Sequence, residues 1–368
     1  MNRLSMIKQC VRDKKSYLLP QIDYRIKMNQ NENPYDLPSE IKVKITDVIK
    51  GRPWNRYPEL RSMNLREKFA RLLALPAENV LVGNGSNEIL LAVMMTLLEP
   101  GKRMVTISPT FSLYAHYGEI LGAGVTVLPL QENFQFPVQE LISFSQNPDV
   151  VLTVLCSPNN PTGNSIDSED LIEIVKEAAG FVLVDEAYFD FCEQDFSSLL
   201  KKFPNLILTR TFSKARAFSF GRFGYGLAAK ELVHEIYKVL LPYNLNGFSE
   251  LAASLLMENS QLLQPAVAAM IEQRKRLSAE LKKIPGIETF PTEANFILVK
   301  CGFDSRRMVD KLIDRGILVR DVSFYPGLRD HLRISVGTPE ENKILLQNIL
   351  AIADSEYSAN GKGREPEK

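Results

Sequence analysis

Between Asn79 and Ala229 short unbroken apolar runs alternate with segments of helical period, and this alternation narrows the fold more than any other feature. Asn79–Val82, Met104–Ser108, Gly124–Leu128, Val150–Leu155, Phe181–Asp185, Leu206–Thr211 and Tyr225–Ala229 read as strands. Glu88–Leu98, Ser112–Leu121 and Ser168–Ala178 read as helices between them. A strand without a polar face is buried on both sides, so the pattern predicts a mostly parallel sheet covered by helices. After Leu245 the character changes. A long helical stretch, Ser249–Lys283, leads into strands Asn295–Val299, Ile317–Arg320 and Leu332–Val336, with helices Ser305–Arg315 and Glu340–Ala353. The expected division is an N-terminal arm at 1–30 ending in a short strand Arg25–Met28, a large α/β domain at 31–245 and a smaller α/β domain at 246–354. The polar, aperiodic stretch 355–368 is expected to be a disordered tail.

Composition removes several classes of function. The 368 residues carry 44 Lys+Arg against 44 Asp+Glu, so no basic excess points to a nucleic acid or an acidic membrane. No apolar run approaches the ~20 residues of a membrane span, and the start, MNRLSMIKQCVRDKKSY, lacks a signal-peptide core, so a cytoplasmic protein is expected. Cys10, Cys156, Cys192 and Cys301 are scattered, as are His116, His234 and His331, which predicts neither a metal site nor a disulfide framework.

The chemistry-bearing residues collect at strand ends, where parallel sheets present ligands. Leu206–Thr211 runs into Arg210-Thr211-Phe212-Ser213-Lys214, with Arg222 beyond. Paired hydroxyls and a forked guanidinium suit a phosphate, and a lysine beside them is a candidate Schiff-base former. A polar turn with a solvated lysine would carry the same residues. Phe181–Asp185 ends in Asp185-Glu186-Ala187-Tyr188. A buried aspartate needs a cation or donors, so either a protonated pyridine nitrogen or a plain turn cap accounts for it. Tyr188 is placed to reach the same ligand. After Val150–Leu155 comes Cys156-Ser157-Pro158-Asn159-Asn160-Pro161-Thr162-Gly163, whose prolines hold an amide rigidly enough to bind a phenolate oxygen. Gly83-Asn84-Gly85-Ser86-Asn87-Glu88 opens an apolar helix whose N-terminal N–H groups suit an anion. It is a poor dinucleotide fingerprint, because Glu88 stands where a third glycine belongs and the next strand ends in Ser108-Pro109 rather than an acid. Arg333, between Leu332 and Ile334, lies on the strand face opposite to both; facing a cleft, it is an anion clamp.

Taken in order, Asn159-Asn160-Pro161-Thr162-Gly163, Asp185-Glu186-Ala187-Tyr188, Thr211-x-Ser213-Lys214 and Leu332-Arg333-Ile334-Ser335-Val336-Gly337-Thr338-Pro339 resemble the fold-type-I pyridoxal-phosphate aminotransferases. The resemblance spans about residues 11–351. Asn31-Glu32-Asn33-Pro34-Tyr35, Arg56-Tyr57-Pro58, Ser157-Pro158-Asn159-Asn160 and Val319-Arg320-Asp321 narrow it to the histidinol-phosphate aminotransferase branch and its near relatives. It implies a large domain with a mixed, mostly parallel sheet between helices, a smaller C-terminal α/β domain, an N-terminal arm and pyridoxal 5′-phosphate as cofactor. Lys214 would join the cofactor and shuttle the substrate proton. Asp185 would pair with the pyridine nitrogen, Asn160 and Tyr188 would bond the ring oxygen, and Phe111 would stack on the ring. Some members have tyrosine where this chain has Phe111, so here stacking remains without a phenol hydrogen bond. The backbone of Ser86 and Asn87 and the side chains of Thr211, Ser213 and Arg222 would hold the cofactor phosphate. Tyr57 would reach that phosphate from a neighbouring subunit, which implies a homodimer. Arg333 would grip the substrate's anion with help from Arg320, near Asn33, and Tyr17 matches a tyrosine on the substrate phosphate.

The activity so implied is transfer of an amino group between L-histidinol phosphate and 2-oxoglutarate, giving imidazole acetol phosphate and L-glutamate by a ping-pong route through pyridoxamine phosphate, a step of histidine biosynthesis. Threonine-phosphate decarboxylation and a broad aromatic aminotransferase remain as alternatives. A non-catalytic relative would be expected to lack Lys214 or Asp185, and both are present.

Overall fold

Strand β1 (Ile26–Lys27) is followed by seven that form one sheet: β2 (Val80–Gly83), β3 (Arg103–Ser108), β4 (Gly124–Pro129), β5 (Val150–Cys156), β6 (Phe181–Asp185), β7 (Leu206–Thr211) and β8 (Gly224–Leu227). The structure is a computed structural model and describes residues 3–16 and 22–359. The sheet order is β2-β8-β7-β6-β5-β3-β4. Strands β4, β3, β5, β6 and β7 run parallel, and β8 is antiparallel to both β7 and β2. Every residue of β2, β7 and β8 is buried, whereas the edge strand β4 is mostly accessible. The expected sheet, mixed and mostly parallel, is the one found.

Alternation assigns each strand residue to one of two helix-covered faces. On β6 and β7, Val182, Val184, Leu206 and Leu208 join Phe69 and Phe212 on one face. Leu183 and Ile207 join Ile89, Val93 and Tyr114 on the other. The same alternation carries Asp185, Thr209 and Thr211 onto the Tyr114 side. Arg210, on the far face, is fully buried in an ion pair with Glu186 at 2.7 Å. The two strand ends are therefore locked from behind.

Strands β9 (Ile287–Thr289), β10 (Phe296–Cys301), β11 (Ile317–Leu318), β12 (Arg320–Asp321) and β13 (His331–Ser335) belong to the C-terminal part. Four of them form an antiparallel sheet in the order β12-β13-β10-β9, while β11 pairs in parallel with β1. The run read as one strand, Ile317–Arg320, thus divides at Val319. Ile317 and Leu318 pair with Ile26 and Lys27, and Arg320 and Asp321 pair with Arg333 and Leu332. The stretch read as a single helix, Ser249–Lys283, is two, Gly247–Glu258 and Gln264–Leu281. Pro265 opens the second helix, where its missing N–H is harmless; inside one continuous helix it would break a bond.

Helices Ser39–Lys50, Met63–Leu73 and Val138–Ser145 and strand β9 were not anticipated. The last helix runs from Pro339 to Ala359, so it extends into the stretch expected to be a disordered tail. Glu356 explains the extension: its buried carboxylate accepts from Arg307 at 2.9 Å and from Lys311 at 2.6 Å. Tyr357 meets Phe303 edge-on at 6.0 Å. A polar sequence hides such a terminus because its partners lie on another helix.

Candidate active site

The carboxyl ends of β3, β5, β6 and β7 open into a cavity of about 800 Å³. That is within the range of small-molecule sites. Cys156 at the end of β5 is in register with Asp185 at the end of β6, which in turn is in register with Thr209. Parallel pairing alone thus brings the three candidate loops together.

At the floor, the buried Asp185 carboxylate accepts from Tyr114 Oη at 2.7 Å and from Thr209 Oγ1 at 3.2 Å. Burial pushes its pKa up, and these hydroxyls, the Ala187 N–H and the nearby Lys214 cation oppose the shift. It is a carboxylate supported chiefly by neutral donors, an arrangement that a cationic ligand nitrogen completes. Phe111 lines the same cavity and meets Tyr114 edge-on at 5.5 Å.

A cradle of donors lies at the start of helix Ser86–Leu97. Gly85 has φ +82°, and a Cβ there would come within 2.7 Å of Arg222 Nη2. A Cβ on Gly224 would lie 2.3 Å from the Ser86 nitrogen. Glycine supplies the left-handed backbone at 85 and lets the backbones of Gly224 and Ser86 approach. Arg222 Nη1 donates to Ser213 Oγ at 3.1 Å, and Thr211 Oγ1 donates to Ser213 Oγ at 3.0 Å. The helix's leading N–H groups, two hydroxyls and a guanidinium therefore converge, as a phosphate requires.

Lys214 Nζ donates to the Gln30 carbonyl at 2.9 Å. Burial, with Arg333 next in importance and Glu32 opposing, brings its amine down to about 8. Roughly a tenth of the amine is thus neutral at pH 7, far more than for a free lysine, as suits a nucleophile or base. Arg333 donates through Nη2 to the Asn29 carbonyl at 2.8 Å and through Nη1 to Asn160 Oδ1. Arg320 is its direct cross-strand partner, and both guanidinium-bearing residues line the cavity.

Of the residues singled out from the sequence, the cavity brings together Ser86, Asn87, Phe111, Asn160, Asp185, Tyr188, Thr211, Ser213, Lys214, Arg222, Arg320 and Arg333. Asn33 is not among its lining; its amide donates to the Ala215 carbonyl and its Oδ1 accepts from the Tyr35 N–H, both at 2.9 Å. Tyr57 stands away from the cavity, 81% exposed and stacked on Tyr243 at 4.6 Å. Tyr17 lies outside the described residues. The loop after β5 divides its two asparagines. Asn159 is wholly buried, bonding Pro109 O, Thr110 and Thr162, and so leaves Asn160 to face the cavity.

Sequence reasoning missed Tyr114, Thr209 and Asn31, which touch Asp185 and Tyr188. The period-2 pattern of β7 held a usable signal for Thr209, because Thr209 and Thr211 share a face. Tyr114 offered only its position one helical turn after Phe111.

Comparison with known proteins places the chain. The sequence model for aminotransferases of class I and II matches residues 24–349. A histidinol-phosphate aminotransferase of Chlorobium phaeovibrioides (strain DSM 265 / 1930) is 39% identical over 328 residues, 89% of this chain and 91% of that protein. Another, of Thermoanaerobacter sp. (strain X514), is 36% identical over 345 residues, 94% and 98% of the respective chains. Among solved structures, the histidinol-phosphate aminotransferase of Clostridium acetobutylicum superposes with a TM-score of 0.83 at 26% identity, covering 90% of this chain and 99% of that one. The enzyme of that name from Sinorhizobium meliloti, solved with pyridoxal-5′-phosphate, shares the fold with a TM-score of 0.86 at 22% identity, covering 96% and 98%. The chain belongs to the class I and II aminotransferases and, within them, to the histidinol-phosphate aminotransferase branch.

Proposed function

We propose that this aminotransferase moves an amino group between L-histidinol phosphate and 2-oxoglutarate, forming imidazole acetol phosphate and L-glutamate in two half-reactions of ping-pong order. Pyridoxal phosphate is the cofactor, and the residues on the cavity wall fit it. The cradle of Ser86, Asn87, Thr211, Ser213 and Arg222 would hold its phosphate, Asp185 its ring nitrogen, and Asn160 and Tyr188 its ring oxygen, with Phe111 against the ring face. When bound, it supplies an electron sink for the charge left as the substrate Cα loses a proton.

The rest of the chemistry belongs to the protein. Neutral Lys214 Nζ would take the proton from the substrate's amino-bearing carbon and deliver it to the carbon on the other side of that nitrogen. Asp185 favours a positive charge on its partner nitrogen, and the hydroxyls of Tyr114 and Thr209 oppose the rise in pKa that burial imposes on it. Arg333 and Arg320 fix the far end of the substrate and so orient the bond to be broken.

The observation that carries the substrate assignment is the register of β12 and β13. Arg320 and Arg333 stand directly opposite each other. Like charges so placed repel unless an anion lies between them. Two guanidinium forks suit a phosphate best and accept a carboxylate second. Histidinol phosphate carries the first group and glutamate the second, and both must use this site in turn.

The experiment is a single-half-reaction screen with the loaded enzyme, following bleaching of its visible band with histidinol phosphate, threonine phosphate, phenylalanine and glutamate. The expected order puts histidinol phosphate first, with glutamate also reacting. A preference for phenylalanine would turn the reading to an aromatic aminotransferase, and release of CO₂ from threonine phosphate would turn it to a decarboxylase.

The same reading makes the enzyme a homodimer in which Tyr57 reaches the partner's phosphate cradle. Its support is an exposed aromatic group at one surface: Tyr57 stacks on Tyr243, and Trp54 meets Phe248 edge-on at 5.3 Å. Sedimentation should show a dimer at assay concentration, and an active monomer would remove the role of Tyr57. Among the described residues no helix is long and apolar enough to cross a membrane; we place the enzyme in the cytoplasm.

A further inference from the structure

Asn31 is 1% exposed and sits in the left-handed region at φ 55°, which asparagine tolerates better than most residues. Its neighbours touch the machinery on either side. The Asn29 carbonyl accepts from Arg333, and the Gln30 carbonyl accepts from Lys214. Asn31 itself is bonded all round. Its N–H donates to Ser335 Oγ at 2.9 Å, and its carbonyl accepts from Asn295 Nδ2 at 3.0 Å. Ser335 Oγ donates to Asn31 Oδ1 at 2.9 Å, and Asn31 Nδ2 donates to Tyr188 Oη at 2.9 Å.

This network decides which way the amide faces. Ser335 Oγ already receives the Asn31 N–H, so its own hydrogen needs an acceptor, and Asn31 Oδ1 is that acceptor. With the amide reversed, the buried Ser335 hydroxyl would meet two donors and lose its acceptor in the group. The Nδ2 end therefore points at Tyr188. A phenol oxygen that receives a hydrogen from Asn31 must aim its own hydrogen elsewhere. The Tyr188 ring is held edge-on against Phe296 at 5.2 Å and lines the cavity. Packing thus sets where the oxygen sits, and Asn31 sets where its proton points.

We infer that Asn31 is a positioning residue that turns the Tyr188 hydroxyl proton away from the protein and into the cavity, toward the ring oxygen of the cofactor. The inference rests on the reading of Tyr188 given above. Burial pushes the Tyr188 phenol up, so the proton is present to be donated throughout the working range of pH.

The test reads the pH midpoint of the visible band of the loaded enzyme, which a purely structural role would not move. A donor at the ring oxygen stabilises the deprotonated chromophore, so losing that donor raises the midpoint. Tyr188→Phe should raise it by about one pH unit, a tenfold change in proton affinity. Asn31→Gly keeps the left-handed backbone available while deleting the amide. It should raise the midpoint in the wild-type background and leave it unmoved in Tyr188→Phe. Asn31→Asp, which keeps the shape but can only accept, serves as the second variant. Its rise should shrink when Tyr188 is absent. Equal shifts in both backgrounds, or no shift from either Asn31 variant, would overturn the inference while leaving the reading of Tyr188 standing. No shift from Tyr188→Phe alone would overturn both.

Discussion

The phosphate cradle and the arginine pair line one cavity but are assembled in different ways. Each half of the cradle is local, although the two halves lie more than 120 positions apart. Thr211, Ser213 and Arg222 belong to one turn between adjacent strands, and Gly85 to Asn87 form the start of one helix. The arginine pair, although only 13 positions apart in the chain, depends on strand pairing rather than on a turn. Arg320 and Arg333 meet only because two short strands pair in one register, after the run Ile317–Arg320 has divided between two sheets. A ligand group that needs many donors at fixed spacing is served by a rigid turn. Under the reading proposed above, a site that admits two different anions is served by long side chains on paired strands.

The largest expected effect tests the centre that both regions serve. Lys214→Ala should abolish turnover by many powers of ten, since no other amine in the cavity replaces the nucleophile and base. The unfolding midpoint should hold or rise slightly, because burial disfavours the charged amine that the variant removes. Single-turnover kinetics and thermal unfolding check the two halves, and near-wild-type turnover in a folded variant would sink the assignment.

Asp185→Asn separates the cradle from the chemistry. Cofactor affinity, read by equilibrium dialysis, should change little because the cradle is built from other elements. The value of kcat should fall on the order of a hundred- to a thousandfold, as loss of a preorganised charge in a dry site does. Full activity in this variant would reduce Asp185 to a turn cap.

The arginine pair should divide by substrate. Arg333→Lys should impair both half-reactions, because a point charge cannot replace the fork. Arg320→Ala should slow histidinol phosphate more than glutamate. One charge-assisted hydrogen bond is worth about 1.5–3 kcal/mol, so the selectivity should fall roughly ten- to a hundredfold. Equal slowing of both donors would show that Arg320 does not favour phosphate.

The smallest effect is on pH. Capture of cofactor by the free enzyme needs neutral Lys214, so its rate should climb with pH and level off above about 8. The positive charge of Arg333 disfavours the protonated amine, so Arg333→Gln should move that midpoint upward. Burial is the greater cause, and the midpoint should therefore stay below that of a free lysine. Stopped-flow absorbance across pH checks both statements.

Lys214, Asp185 and Asn160 were legible because each follows an apolar run that had to be a buried strand, and buried parallel strands deliver their carboxyl ends to one side. Tyr114, Thr209 and Asn31 were not. Their contacts join residues separated by 71, 24 and 157 positions, so no local pattern records the contacts themselves, although the alternation of β7 does put Thr209 on the face of Thr211. The closing helix was misjudged for the same reason: Glu356 looks solvated until Arg307 and Lys311 are placed beside it.

From the sequence alone, period and composition determined a mostly parallel sheet with a second, smaller α/β part, and strand-end motifs picked out the lysine, aspartate and glycine-lined helix start that we propose as the centre. Those features depend on neighbours a few residues apart, which backbone geometry ties together whatever the rest of the chain does. Only the tertiary structure decided that Arg320 opposes Arg333, that Arg333 meets the Asn160 amide oxygen, and that Tyr114 supports Asp185. Each of these is a choice of register or of face that no run of neighbouring residues records. Packing makes that choice, because one slip of register or turn of a loop would bury a charge without a partner.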